Sequence, residues 1–231
     1  MPTTSSQTSP RLSSAPSRGA IAAWLAIAAL LIALGFVGAS SGETDRDILY
    51  DYAFAAGSVV IYGILVGLTL VIASRLGRPL EAAGLKSFEW RWVGIAVGLI
   101  VLVLILAQAL EPLLHAGDRQ GLEPEAWRPD RATAFALNAL VASTVVPFAE
   151  ELFFRGVGVR AFLPFGGVGA IAITALAFGL GHGLLVALPV LVPFGLALGW
   201  VRLRADSVWP GMLAHGFYNG SALLVVYVQL S

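Results

Sequence analysis

Cysteine is absent from the 231 residues, which excludes disulfides, thiolate metal sites and a cysteine nucleophile. Charge is scarce as well. Only 12% of the residues are Asp, Glu, Lys or Arg, about half the share of an ordinary soluble domain. Acidic and basic residues balance at 14 each, so no bulk field draws the chain to nucleic acid and no such partner is expected. Neither an HExxH pair nor a Cys-containing zinc motif occurs, which removes the common sequence signatures of a zinc peptidase.

What the chain has instead is apolar residues, 58% of the total, gathered into long runs. Runs of that kind are membrane spans, each needing ~20 residues to cross hydrocarbon. The pattern predicts an all-α, polytopic transmembrane helix bundle of about seven spans, near 20–39, 53–74, 92–110, 132–154, 166–182, 184–202 and 207–229. Residues 1–19 are rich in Ser, Thr and Pro and are expected to form a disordered tail. Residues 20–231 then form one transmembrane helical domain. The run at 20–39 exceeds the ~7–15 residues of a signal-peptide core, so it is expected to stay as a span.

Basic residues orient the bundle. With the N-terminus inside, one side holds Arg11, Arg18, Arg75, Arg78, Lys86, Arg91, Arg155, Arg160, Arg202 and Arg204. The other side holds only Arg46, Arg119, Arg128 and Arg131. That asymmetry obeys the positive-inside rule and predicts an N-in, C-out topology.

Three segments place polar groups where apolar ones are expected. In the first, Glu150 and Glu151 are followed by Arg155 and Gly156. A charge near mid-span costs ~2.5–3.5 kcal/mol on insertion scales, so it needs a partner. Glu151 and Arg155 share a helix face at i, i+4 and can pair, whereas Glu150 points elsewhere. The plain alternative is a set of interfacial charges at the end of a span. In the second segment His182 lies between Gly181 and Gly183, with Phe178 one turn back. Small neighbours let it reach another helix, and the plain alternative is a loop histidine. In the third, His215 and Asn219 share a face deep inside the run 207–229, where the alternative is a hydrogen-bonded pair that joins helices. His115 sits in a polar loop and receives no role.

Two chemistries suit these residues. Glu150 and His182 could take a proton from water while His215 and Asn219 donate to the oxyanion of a tetrahedral intermediate. Alternatively Glu150, His182 and His215 offer three N/O ligands to Zn2+ with an open fourth position. Cofactor content, Zn2+ or none, stays open between them. Ser143 and Thr144, about two turns before the glutamates, are a weaker nucleophile option. A proton-coupled transporter would use the same buried groups, but no interrupted spans recur in two halves. A non-catalytic membrane scaffold or immunity partner is a further alternative.

Read in order, Glu150-Glu151-Leu152-Phe153-Phe154-Arg155-Gly156 resembles the EExxxRG motif of the CAAX-protease and bacteriocin-processing (CPBP) intramembrane proteases. Phe178 to His182 is similar to that family's FxxxH motif, and His215 to Asn219 to its HxxxN/B motif. The resemblance covers roughly 140–222, which would be the catalytic core. It implies an intramembrane endopeptidase acting on a membrane-associated or lipidated peptide or protein, in a multi-pass protein of a bacterial cytoplasmic membrane. It further implies that Glu150 and His182 activate water, His215 and Asn219 form the oxyanion hole, and Glu151 and Arg155 orient the site. Both metal-dependent and metal-free hydrolysis are argued for the family.

Overall fold

A computed structural model describes residues 17–40, 47–115, 124 and 126–231. Most of the tail at 1–19 therefore lies outside the described residues, as do parts of the loops after the first and third spans. The described chain is helical throughout. α1 (Arg18–Ser40), α2 (Tyr52–Ser74), the single turn α3 (Pro79–Ala82) and α4 (Arg91–Leu114) make up the first part. α5 (Ala132–Glu150) runs directly into a π-helical segment, Glu151–Gly158, and on into the short α6 (Val159–Phe162). α7 (Gly167–Gly181), α8 (Leu188–Ala205) and α9 (Trp209–Leu230) complete the bundle.

Among the described residues five helical runs are long and apolar enough to cross a membrane: α1, α2, α4, Pro129–Phe165 and Leu185–Ala205. The expected seven included α7 and α9, and these differ for separate reasons. At 15 residues α7 is shorter than the ~20 a straight crossing takes. α9 is long, at 22 residues, but is not among the five; its first half carries the polar His215 and Asn219. The fourth span is longer than expected, because the helical run does not stop at 154 but continues to Phe165 over 37 residues.

The burial pattern is inverted for a chain of this composition. Apolar side chains such as Val60, Ile64, Leu102 and Ile105 face outward, as lipid-facing positions do. Every residue of Glu151–Gly158 is buried. That makes the most polar stretch of the spans the centre of the bundle, around which α1, α2, α7 and α8 pack. Arg155, counted from sequence among the charges of the inner surface, is only 1% exposed and belongs to this centre. Arg75, Arg78, Lys86, Arg91, Arg202 and Arg204 flank the ends of α2, α4 and α8.

Glycines make the close approaches possible. A Cβ on Gly156 would collide with the Ala83 carbonyl, so only glycine lets the turn after α3 lie against the π segment. A Cβ on Gly183, which also has φ +71°, would run into the Gly35 carbonyl of α1. Trp24 of α1 is fully buried, stacks on Phe153 at 5.2 Å and donates its indole N–H to the Phe153 carbonyl at 3.0 Å.

The two ends of the bundle are tied by polar contacts. At one, Asp51 caps α2 by accepting from the Ala53 amide, and the Asn138 amide contacts the carbonyls of Leu49, Asp51 and Ala134. At the other, the α8–α9 turn is bound to the chain after α3. The Val208 N–H donates to the Gly84 carbonyl, the Ser207 hydroxyl to the Lys86 carbonyl, and Lys86 Nζ lies 2.6 Å from Asp206.

Candidate active site

Pro147 lies inside α5 and lacks an N–H, so it cannot donate to the Ser143 carbonyl one turn back. Four residues later the chain changes to π geometry, in which the hydrogen bonds span one residue more than in an α-helix. Such local insertions recur at functional sites. Here the change begins at the glutamate pair.

Glu151 is fully buried and its Oε1 is shared. Arg155 Nη1 lies 2.9 Å away and His215 Nδ1 3.0 Å away. An ionised carboxylate only accepts, so Nδ1 carries the proton and Nε2 is the ring atom left to face the rest of the site. The guanidinium of Arg155 makes a close ion pair with no hydrogen bond of good geometry among the described residues, and it lies over the Phe178 ring at 4.2 Å, a cation–π arrangement. Gly211, in the first turn of α9, leaves room for this carboxylate. A Cβ there would sit 3.2 Å from Glu151 Oε2. The positive end of the α9 dipole thus comes close to an anion.

Glu150 turns to a different set of partners. Its Oε1 accepts from the Tyr62 hydroxyl of α2 at 3.2 Å. Its Oε2 is buried without a hydrogen-bond partner among the described residues and lies 3.8 Å from His215 Nε2. That separation is too long for a direct hydrogen bond, but one water could bond to both atoms. The His215 ring packs edge-on against Phe178 and Phe194, at 5.8 and 4.9 Å.

His182 is placed differently. It caps the C-terminus of α7, is exposed, and packs its ring on Phe178 at 4.7 Å. Its Nδ1 lies 2.9 Å from the Phe178 carbonyl, so Nδ1 carries the proton and Nε2 is an open acceptor. Phe178 is therefore a neighbour common to both imidazoles and to Arg155. Asn219 donates to the Ala142 carbonyl at 2.8 Å, which joins α9 to α5 and commits one of its two amide hydrogens. Gly216, between His215 and Asn219, lets the helices meet there; a Cβ would stand 2.5 Å from the Ser143 carbonyl.

The structure thus gathers Glu150, Glu151, Arg155 and His215 into one cluster and sets His182 and Asn219 at its margins. No three of His, Asp and Glu come together as a metal-holding group among the described residues. The expected ligand set of Glu150, His182 and His215 is not such a group as the side chains stand, with His182 Nδ1 on the Phe178 carbonyl of its own helix. Ser143 and Thr144 donate to the carbonyls of Ala139 and Leu140 in their own helix.

Tyr62, Trp24, Phe178 and Gly211 complete the site, and sequence reasoning gave the first two and Gly211 no part in it. A signal for Tyr62 was present. Tyrosine in a membrane protein favours the interfacial belts, yet Tyr62 sits near the middle of α2, where a hydroxyl needs a partner.

No curated protein and no solved structure matches the chain. Residues 132–221, which carry both glutamates, Arg155, both site imidazoles and Asn219, match the family described as type II CAAX prenyl endopeptidase Rce1-like. Over that segment the chain is similar to the CAAX protease family, and its apolar helices are those of a multi-pass membrane protein.

Proposed function

We propose that this protein is an intramembrane endopeptidase that hydrolyses a peptide bond of a membrane-associated or lipidated substrate with a water activated by Glu150. One observation carries the reading: Glu150 Oε2, without a hydrogen-bond partner among the described residues, faces an imidazole whose other nitrogen is fixed by a buried carboxylate. A carboxylate so situated is a general base for water.

In this mechanism water binds against Glu150 Oε2, with the open Nε2 of His182 as a second contact from the α7 side. As the water oxygen attacks the scissile carbonyl carbon, its proton passes to Glu150. The oxyanion takes hydrogen bonds from the second Asn219 amide hydrogen and from His215 when its Nε2 is protonated. Glu150 then returns the proton to the leaving amine as the C–N bond breaks. Glu151 and Arg155 hold the His215 ring in place. No metal enters any step. The N-terminus is read as cytoplasmic, from the basic ends of α2, α4 and α8.

The test is cleavage of a farnesylated CAAX-type fluorogenic peptide, and of a host membrane proteome with new termini mapped, by the purified full chain. Glu150→Gln is expected to lower kcat by at least ~10²-fold and His182→Ala to do likewise, with both variants still inserted and folded. Hydrolysis at the wild-type rate in Glu150→Gln would remove the mechanism.

A further inference from the structure

The matched segment does not supply every contact of the candidate base. A glutamate's last torsion is broad and nearly two-fold, so an isolated Glu150 carboxylate would present either oxygen, or an edge, with little preference. The hydrogen bond from the Tyr62 hydroxyl to Oε1, at 3.2 Å, breaks that degeneracy. It leaves Oε2 as the oxygen at 3.8 Å from His215 Nε2. Tyr62 reaches it from α2, 88 residues earlier in the chain and outside the matched 132–221. The phenol is half-buried on a helix packed along α5.

We propose that Tyr62 is a positioning residue for the hydrolytic reaction, setting the rotation of the Glu150 carboxylate so that one defined oxygen meets the attacking water. This rests on the reading of Glu150 as the base. Tyr62 touches neither water nor substrate in this role; it acts through Glu150. Losing the bond leaves the carboxylate chemically intact but free to turn, which lowers the fraction of molecules in the reactive geometry and leaves substrate affinity alone.

The experiment compares wild type, Tyr62→Phe, Glu150→Asp and the double variant, each as the purified full chain in detergent acting on the farnesylated CAAX-type peptide. Tyr62→Phe keeps the ring and its packing. A hydrogen bond to a charged group corresponds to a kcat loss of about 10- to 100-fold, with KM unchanged. Glu150→Asp withdraws the carboxylate from the phenol, so adding Tyr62→Phe to it is expected to cost less than about twofold more. Tyrosine Raman bands, which report a phenol's hydrogen bonding, are expected to differ between wild type and Glu150→Asp and to lose the Tyr62 contribution in Tyr62→Phe.

Unchanged kcat in Tyr62→Phe, a loss confined to KM, or fully additive losses in the double variant overturns the positioning role and leaves the hydrolase reading standing. Identical tyrosine bands in wild type and Glu150→Asp overturn it even without a turnover measurement. A wild-type protein that cleaves neither the peptide nor any membrane-proteome substrate overturns the hydrolase reading, and the positioning role with it.

Discussion

Replacing Arg155 by Met tests how the centre of this bundle tolerates charge. Arg155 and Glu151 are 1% and 0% exposed, with Nη1 and Oε1 2.9 Å apart. At an effective dielectric of 20 their attraction is about 6 kcal/mol. Desolvation costs several kcal/mol for each ion, so the pair as a whole contributes little net stability. Taking away one partner is another matter. Arg155→Met leaves the Glu151 carboxylate buried and uncompensated, which costs about 3–5 kcal/mol. The lower part of that range is expected, because His215 Nδ1 still bonds to the same Oε1. Glu151→Gln added to Arg155→Met removes the stranded charge but keeps a carbonyl for His215, and should return stability to within about 2 kcal/mol of wild type. Denaturant unfolding in mild detergent, followed by tryptophan fluorescence, measures both, since Trp24 stacks on Phe153 inside this segment. If Arg155→Met were within about 1 kcal/mol of wild type, or the double variant no more stable than the single, the buried-pair reasoning would be wrong.

Other outcomes follow from packing and charge. Gly156→Ala drives a methyl into the Ala83 carbonyl and is expected to destabilise by about 1–3 kcal/mol, read by the same unfolding curves. Asn219→Ala removes the bond to the Ala142 carbonyl together with the proposed oxyanion donor. A kcat loss well beyond what its roughly 1 kcal/mol stability cost explains, in protein shown to be folded, supports the second role; equal kcat dismisses it. Burial raises the Asp206 pKa, but Lys86 and Arg202 more than offset this and hold it below its ordinary value. The stabilisation is therefore present at neutral pH and lost as pH falls below about 4, through the folded-state value. In Asp206→Asn the acid limb of the stability curve should flatten, as thermal unfolding between about pH 6 and pH 3 would show.

How much of this could be seen in the residues alone depends on the range of the interaction. Glu151 and Arg155 belong to one helix, so their i, i+4 spacing announced the pair, but not its burial, since Arg155 counted among the charges of the inner surface and is 1% exposed. Glu150 has partners on α2 and α9, far away in sequence, and no local pattern encodes them. His182 illustrates the opposite hazard. Its flanking glycines suggested reach toward another helix, and Gly183 does pack on α1, but the ring itself folds back onto Phe178. The π geometry of 151–158 was equally illegible, because a one-residue change in hydrogen-bond register leaves no mark beyond Pro147 before it and the glycines at 156 and 158. For α9, the residues that raised interest in it, His215 and Asn219, are also among those that dilute its apolar character.

The indole of Trp24, the phenol of Tyr62 and the Ala83 carbonyl all contact one eight-residue stretch or the glutamate just ahead of it. The motif-bearing half is consequently not a transplantable module. Excised as 132–221, it would lose its neighbour at the Phe153 carbonyl, the phenol on Glu150 and the turn nested against Gly156. Any minimal version intended for engineering has to carry the first two helices and the turn that follows them, whether on the same polypeptide or supplied as a separate fragment.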